Sequence, residues 1–307
     1  MLKVSVCIPA YNQAVYLKKL IDSVLSQTFT DYEIILTDDS PGNIVSDLVK
    51  KYNLPGTIKY YKNKTILGSP ENWNEAIKKS TGEYIKILHH DDCLFDKDSL
   101  RKFVAMLDTN RCVDFAFAAT LVTSIKHAEE EHRSSPTQLS SLRKDSTILY
   151  KSNFVGAPST TIFRRKATCF FDKNLKWLVD IDFYIRMILQ SKLFVYSEEI
   201  LTVTHMPEGR ITEACENNKE VEVFEYFYLF DKLKTFLGKG TSEPYRNALL
   251  KMMAVCKKYS LKNISEIRAA GYKGKIPLHV ISFIKLNSLH SITGRAYLKM
   301  LKATVSK

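Results

Sequence analysis

The stretch EYIKILHHDDCLF, residues 83–95, passes from a short apolar run directly into two histidines and two aspartates. No glycine or proline marks the change. Tyr84, Ile85, Ile87 and Leu88 read as a buried strand. A buried strand that ends in paired carboxylates puts charge at the mouth of a sheet. In open α/β sheets that mouth is where ligands bind.

Working outward, the neighbouring segments supply the rest of such a sheet. KVSVCI (3–8) alternates like a strand and PAYN follows as a turn. Residues 16–27 place Leu17, Leu20, Ile21, Val24 and Leu25 at helical spacing. EIILT (33–37) is a second strand and ends in Asp38 and Asp39. TIKYY (57–61) is a third. SPENWNEAIKKS (69–80) reads as a helix with Ser69 as cap and Pro70 at its first position. DSLRKFVAML (98–107) is a further helix with Asp98 or Ser99 as cap, and VDFAFAAT (113–120) a fifth strand. Alternating strands and helices predict an α/β fold with a mostly parallel, Rossmann-like sheet covered by helices on both faces. Three polar clusters then fall on one rim: Pro9 to Asn12, Asp38-Asp39, and His89 to Asp92.

The later segments are more varied. Residues 124–147 are polar and read as a loop or surface excursion. A helix is expected over 177–191, two short strands over 194–206, and helices from about 216 onward. The predicted organisation is one domain in two halves (1–125 and 126–215) followed by a basic helical extension (216–307).

The rim chemistry is selective. There is no GxGxxG, P-loop, GxSxG or HExxH pattern, which argues against dinucleotide cofactors, Walker-type phosphate binding and the common hydrolase motifs. Paired carboxylates suit a hard divalent cation such as Mg²⁺ or Mn²⁺, which prefers oxygen ligands and is commonly shared with substrate phosphates. One carboxylate can hold metal while its neighbour reaches a ribose hydroxyl, and Asp39 can accept from a pyrimidine N–H. His89 and His90 could instead belong to a zinc site, but no third nitrogen or sulfur ligand stands at suitable spacing.

VSVCIPAYN, VLSQTFTDYEIILTDDS, NWNEAIKKSTGEYIKILHHDD, VDIDFYIRM and THMPEGRIT, in that order, resemble the inverting GT-A-fold nucleotide-sugar glycosyltransferases of family two. The resemblance covers about residues 1–215 and implies a nucleotide-sugar-binding half (1–125) and an acceptor-binding, catalytic half (126–215) of one domain. It implies that Pro9, Ala10 and Tyr11 line the nucleotide base, that Asp39 holds the pyrimidine, and that Asn72 and Asn74 shape the same pocket. For Asn72 and Asn74, capping and packing is an equally good reading. The resemblance also implies Asp91 on the ribose, Asp92 on metal and diphosphate, and His205 beside that metal. In place of the family's leading acid stands His89. Arg210 and Ser159 become diphosphate or acceptor contacts. Asp180 aligns with the catalytic base, although Val179 replaces the usual preceding Glu. Asp182, two residues on, points about 200° away on a helix and reads better as a cap. The implied cofactor is Mn²⁺ or Mg²⁺. The implied donor is a UDP-sugar, with dTDP the alternative nucleotide. The implied acceptor is a glycan or a polyprenyl-diphosphate-linked glycan in capsule, O-antigen or related synthesis. A non-catalytic nucleotide-sugar binder fits the retained acids less well. A sugar nucleotidyltransferase would carry a glycine- and base-rich loop where PAYNQAVYL stands.

The charge is uneven. The chain of 307 residues has a formal net charge of +12, but Lys232–Lys307 holds 16 bases against Glu243 and Glu266. Such asymmetry suggests an anionic partner. SITGRAYLKMLKATVSK (291–307) spaces Ile292, Leu298, Leu301 and Val305 for one apolar helix side, with Arg295, Lys299 and Lys302 between them. That helix could lie on an anionic membrane or pack on protein. No aromatic–basic or zinc-finger pattern indicates nucleic acid. Six scattered cysteines without a CxxC pair read as reduced thiols. With no signal-peptide pattern and no apolar run of spanning length, the expected location is cytoplasmic, peripheral on the inner face of a bacterial membrane.

Overall fold

The computed structural model describes residues 2–124, 128–206, 211–238 and 242–289. Arg210 and the segment 291–307 lie outside the described residues. The chain divides into two compact units. The first comprises Met1–Arg143, Phe154–Asn174 and Phe183–Glu208; the second comprises Lys144–Asn153, Leu175–Asp182 and Gly209–Lys307.

The strands are β1 (Val4–Ala10), β2 (Tyr32–Asp38), β3 (Ile58–Lys62), β4 (Tyr84–Ile87), β5 (Asp92–Leu94), β6 (Phe115–Ser124), β7 (Glu130–His132), β8 (Thr161–Arg164) and β9 (Val195–Met206). The helices are α1 (Ala14–Leu25), α2 (Ile44–Tyr52), α3 (Ser69–Lys79), α4 (Ser99–Asp108), α5 (Pro136–Lys144), α6 (Val179–Ser191), α7 (Ile211–Cys215), α8 (Lys219–Leu233), α9 (Glu243–Lys258), α10 (Ile264–Ala269) and α11 (Leu278–Leu289).

All the strands belong to one sheet of the first unit, in the order β3-β2-β1-β4-β8-β6-β9-β5, with β7 on β6. The first four are parallel, as their alternation with helices predicts, and the long β6/β9 ladder is parallel too. Antiparallel β8 is inserted between β4 and β6. Every residue of β1 is buried, so this strand is covered on both faces. Leu17, Leu20, Ile21 and Val24 of α1 are buried in the same core as Val4, Val6 and Ile8.

Several sequence expectations shift locally. The helix α3 starts at Ser69, with Gly68 as its N-cap at φ 85° and ψ 170°, a backbone region that in practice only glycine occupies. Ser69 is therefore not the cap. The two strands expected over 194–206 are one strand, β9, whose register slips against Ala118–Thr120 of β6. The polar excursion over 124–147 contains β7 and α5.

The second unit is helical. Asn218 caps α8 by accepting from the Glu220 and Val221 amides, and Asn263 caps α10 through Glu266. Tyr150 crosses Tyr226 edge-on at 5.4 Å, and Phe230 does the same with Tyr245 at 5.5 Å. Among the described residues, no helix is long and apolar enough to cross a membrane.

The opposite end of the sheet is tied by a buried polar network. Glu33 accepts from Ser5 Oγ at 2.6 Å, from the Thr81 amide at 2.8 Å and from Lys59 at 2.6 Å. Gly82 lies so close to β1 that a Cβ would stand 2.5 Å from Ser5 N and 2.6 Å from the Val4 carbonyl carbon. Both neighbours are backbone and cannot swing aside. Gly82→Ala is expected to destabilise the protein by about 3 kcal/mol, at the upper end of overpacking costs. A denaturant midpoint equal to wild type would show that β1 and β4 can separate without loss.

Candidate active site

The carboxyl ends of β1, β2 and β4 lie side by side on the rim of the first unit. At β1 the chain leaves the sheet through Asn12 and Gln13, at φ 55° and 41°, which turns it into α1. The Asn12 amide donates to Ser40 Oγ at 2.7 Å, and the Asp39 amide to the Ala10 carbonyl at 3.0 Å. These bonds pin the loops after β1 and β2 together. Pro9 and Ala10 are buried, while Tyr11 keeps 46% exposure.

The two aspartates after β2 serve different ends. Asp38 is fully buried and accepts from the Ser40 amide, Tyr60 and Lys62. Burial opposes its ionisation, but those hydrogen bonds outweigh it and hold the carboxyl below its usual range. Asp39 accepts from Asn63 at 2.7 Å and from the amides of Leu67 and Gly68 at 3.1 and 2.9 Å. It thereby fixes the loop that starts α3. Asn63 also donates to Asn72 at 2.9 Å, whose own amide reaches the Ala10 and Thr37 carbonyls. Asn74 both donates to and accepts from the Phe171 backbone, at 3.0 and 2.8 Å. Asn72 and Asn74 therefore hold the scaffold under the rim.

Beyond β4 the chain doubles back, the Asp92 amide donating to the His89 carbonyl at 2.9 Å. This brings one ligand atom each of His89, Asp91 and Asp92 within 4.8 Å of one another. Ser159 is buried beneath them. Its Oγ accepts from the His89 amide at 2.9 Å and donates to the Asp92 carboxylate. Thr204, opposite Asp92 in the β5/β9 ladder, gives a second hydrogen bond to that carboxylate. Burial, and then the charge of Asp91, push the Asp92 carboxyl well above its usual range. Behind the cluster stands Lys86, fully buried, bonded to the Ser159 and Thr161 carbonyls and 4.0 Å from the Phe103 ring centre. Burial lowers its affinity for a proton, against the pull of Asp92.

The three nearby histidines differ. Burial brings the His89 ring down to about 4, so it is neutral at pH 7; its Nε2 is buried with no hydrogen-bond partner. Burial also lowers His90, which bonds the Pro9 backbone. His205, on β9, bonds Thr123 through Nδ1 at 2.7 Å and lies within electrostatic reach of Asp91. His205 is not one of the three clustered ligands. The set of two carboxylates, one of them with its proton affinity raised, and an unsatisfied imidazole nitrogen fits a divalent cation.

In the second unit, Asp180 and Asp182 occupy the first turn of α6. Asp182 is fully buried and pairs with Lys232 of α8 at 2.8 Å. It is a helical residue, its amide already donating to the Leu178 carbonyl, and so not the cap its sequence suggests. Asp180 is only partly buried. It accepts from Asn153 at 2.9 Å and from the Ile181 amide at 2.8 Å. Loss of hydration, reinforced by the charge of Glu225, raises its carboxyl to about 7. Glu225, on α8, is itself buried. It accepts from the amides of Lys176, Trp177 and Leu178, the closest at 2.7 Å, and so holds the segment that leads into Asp180. Sequence reasoning passed over Asn63, Asn153 and Glu225. Only Glu225 left a signal, as a lone acid inside the aromatic run VFEYFYLF.

The Asp180 environment has a measurable cost. An unfolded aspartate ionises near about 3.9, whereas the folded one keeps its proton to about 7. The unfolded chain therefore releases this proton first, and stability falls as pH rises through that window. Asp180→Asn is expected to match wild type at pH 4 and to melt at higher temperature at pH 8. Thermal melts with a constant difference across this range would show that Asp180 ionises normally in the fold.

Comparison with known proteins agrees with this geometry. The Glycosyl transferase family 2 profile matches residues 5–170. A putative colanic acid biosynthesis glycosyl transferase of Escherichia coli K12, WcaA, is 26% identical over 230 residues, 73% of this chain and 80% of its own. The uncharacterized glycosyltransferase MJ1057 of Methanocaldococcus jannaschii is 28% identical over 209 residues, 66% of this chain and 71% of its own. Among solved structures, Staphylococcus aureus TarS 1-349 in complex with UDP-GlcNAc aligns with a TM-score of 0.58 at 17% identity, covering 98% of this chain and 91% of that one. The mannosyltransferase PcManGT of Pyrobaculum calidifontis, in complex with GDP-Man and Mn²⁺, aligns at 0.60 and 13% identity, covering 99% and 86%. At such identities the two structures speak for the fold, which is that of the GT-A glycosyltransferases. The profile covers more than half of the sequence and takes in the whole strand-end cluster, so the chain belongs to glycosyl transferase family 2.

Proposed function

We propose that the protein transfers a sugar from a nucleoside-diphosphate sugar, a UDP-sugar first of all, to a hydroxyl of a glycan or lipid-linked glycan, with inversion, in the synthesis of a surface polysaccharide. The observation that carries this reading is the His89, Asp91 and Asp92 cluster at the end of β4, beside the loops after β1 and β2. The bound UDP-GlcNAc of TarS and the WcaA relationship support the donor class and the pathway.

In this reading Pro9, Ala10, Tyr11 and Asp39 receive the base, and Asp91 the ribose. Asp92 would hold Mn²⁺ or Mg²⁺, with His205 and Ser159 nearby, and the ion would supply positive charge to the departing diphosphate. Asp180 takes the proton of the acceptor hydroxyl as that oxygen attacks the anomeric carbon from the face opposite the leaving group. One displacement inverts the configuration, and no covalent enzyme intermediate forms. A base with its proton affinity raised to about 7 is matched to this task at neutral pH, because it is partly free yet still holds a proton well.

A nucleotide-sugar panel that follows nucleoside diphosphate release, with and without EDTA, tests donor and metal together. Asp180→Asn is expected to lower turnover about a thousandfold, roughly 4 kcal/mol, while donor affinity is kept. The wild-type rate should rise with pH through about 7. Asp182→Asn breaks a buried ion pair and should act on stability instead. If Asp180→Asn stays active and Asp182→Asn is dead, the base is misassigned.

The basic segment Lys232–Lys307 is proposed to dock on an anionic membrane surface, each base near the headgroups adding about 1 kcal/mol. Flotation with anionic vesicles at low salt should carry the full chain upward. A chain that stays at the bottom leaves those bases to solvent or to protein packing.

A further inference from the structure

We propose that His89 is itself a ligand of the cation at Asp91 and Asp92, and that its nitrogen makes the site select Mn²⁺ over Mg²⁺. This rests on the metal-dependent reading above and sharpens it.

The first support is geometry. One ring nitrogen of His89 and one oxygen from each aspartate lie within 4.8 Å, the only such group among the described residues. A single ion could be reached by all three with small adjustments. The second support is an unmet demand. His89 Nε2 is buried and accepts or donates no hydrogen bond, a state that native structures rarely leave without reason. Each neighbouring histidine has a partner for one ring nitrogen, His90 the Pro9 backbone and His205 the Thr123 hydroxyl. The third support is positioning. The His89 ring packs on Trp73 with centroids 4.5 Å apart, and Trp73 is braced edge-on by Phe171 at 5.0 Å. The His89 backbone is held by Ser159, the same hydroxyl that bonds Asp92. Ligand and carboxylate are thus fixed to one another before any ion arrives, as the supporting contacts of metal sites generally require.

The consequence for selectivity follows from ligand chemistry. Mg²⁺ is small, sheds water reluctantly and takes oxygen donors. First-row transition ions accept imidazole readily, with affinity rising along the series from Mn²⁺. Replacing one oxygen donor by nitrogen therefore weakens Mg²⁺ more than Mn²⁺.

Mn²⁺ gives a direct readout. The full-length protein is loaded with Mn²⁺, with and without UDP, and its electron spin-echo spectrum is recorded. Directly coordinated ¹⁴N is expected in the wild type, in His90→Ala and in His205→Ala, and its loss in His89→Ala. Bound Mn²⁺ should also quench Trp73 fluorescence, which supplies the titration. Mn²⁺ is expected to bind at least tenfold more tightly than Mg²⁺, and His89→Asp should reduce that ratio at least tenfold. If His89→Ala does not fold, the wild-type, His90→Ala and His205→Ala spectra carry the test. Bound Mn²⁺ without ¹⁴N coupling, or coupling lost only in His205→Ala, overturns His89 as a ligand and leaves the glycosyltransferase reading standing. Binding of neither ion, with or without UDP, overturns this inference and the metal-dependent reading together.

Discussion

Asp91 and Asp92 are adjacent in the chain and share one strand end, and the second of them is buried. Burial resists the ionisation of Asp92, and the charge of Asp91 beside it adds to the resistance. The surrounding fold moderates this conflict without removing it. Ser159 and Thr204 each donate to Asp92, and Lys86 contributes its field from within the sheet. None of these groups forms a close ion pair with the two acids that would consume their charge. Lys86 spends its hydrogen bonds on the Ser159 and Thr161 carbonyls. What remains is a local excess of acidic groups at this strand end, and a divalent cation would answer it more fully than the side chains beside it.

Much of the surrounding structure can be seen as what is needed to keep that excess in place. The short loops after β1 and β2 are cross-linked by Asn12, Ser40 and Asp39, so the rim next to the acids has little freedom. Asp39 draws the Gly68 turn inward, and the glycine's unusual dihedrals allow α3 to begin there. The helix α3 then delivers Trp73 to the face of His89. At the far end, the Glu33 network and the absence of a side chain at Gly82 set the approach of β4 to β1. A shift of that strand by one residue would carry His89 to Asp92 to the wrong side of the sheet.

The parallel half of the sheet was legible because local periodicity and capping agree there. The apolar runs at 3–8, 33–37, 57–61 and 84–88 each became a strand with ends moved by a residue or two. The rim acids were legible because polar clusters that follow apolar runs are abrupt. What escaped the reading depends on contacts between distant residues. Asn63 matters only because it touches Asp39 and Asn72, and its own surroundings in sequence are those of an ordinary loop. The joining of 194–206 into one strand depends on a register slip against β6, which no alternation pattern encodes. The helix α2 was passed over although it was legible: Val45, Leu48, Val49 and Tyr52 recur at helical spacing and pack on the core. Asp182 was assigned to a cap because a helix boundary uncertain by a turn cannot distinguish a cap from a first-turn residue.

The same electrostatic device recurs in the second unit with a different answer. Glu225 and Asp180 are both acids in poorly hydrated surroundings, and in both burial pushes the carboxyl above its usual range against the hydrogen bonds it accepts. Glu225 is met by three successive backbone amides, which oppose that push and fix the segment leading to Asp180. Asp180 receives the Asn153 side-chain amide, the Ile181 N–H and its own N–H, and it also feels the charge of Glu225. Its unmet charge is therefore relieved by a proton. A proton-hungry carboxylate is what a general base requires, and a cation-hungry pair is what a diphosphate site requires. Asp182 marks the contrast from the next half-turn of the same helix, where Lys232 pairs with it at 2.8 Å. In each unit the proposed chemistry falls on a carboxylate that the protein leaves incompletely satisfied.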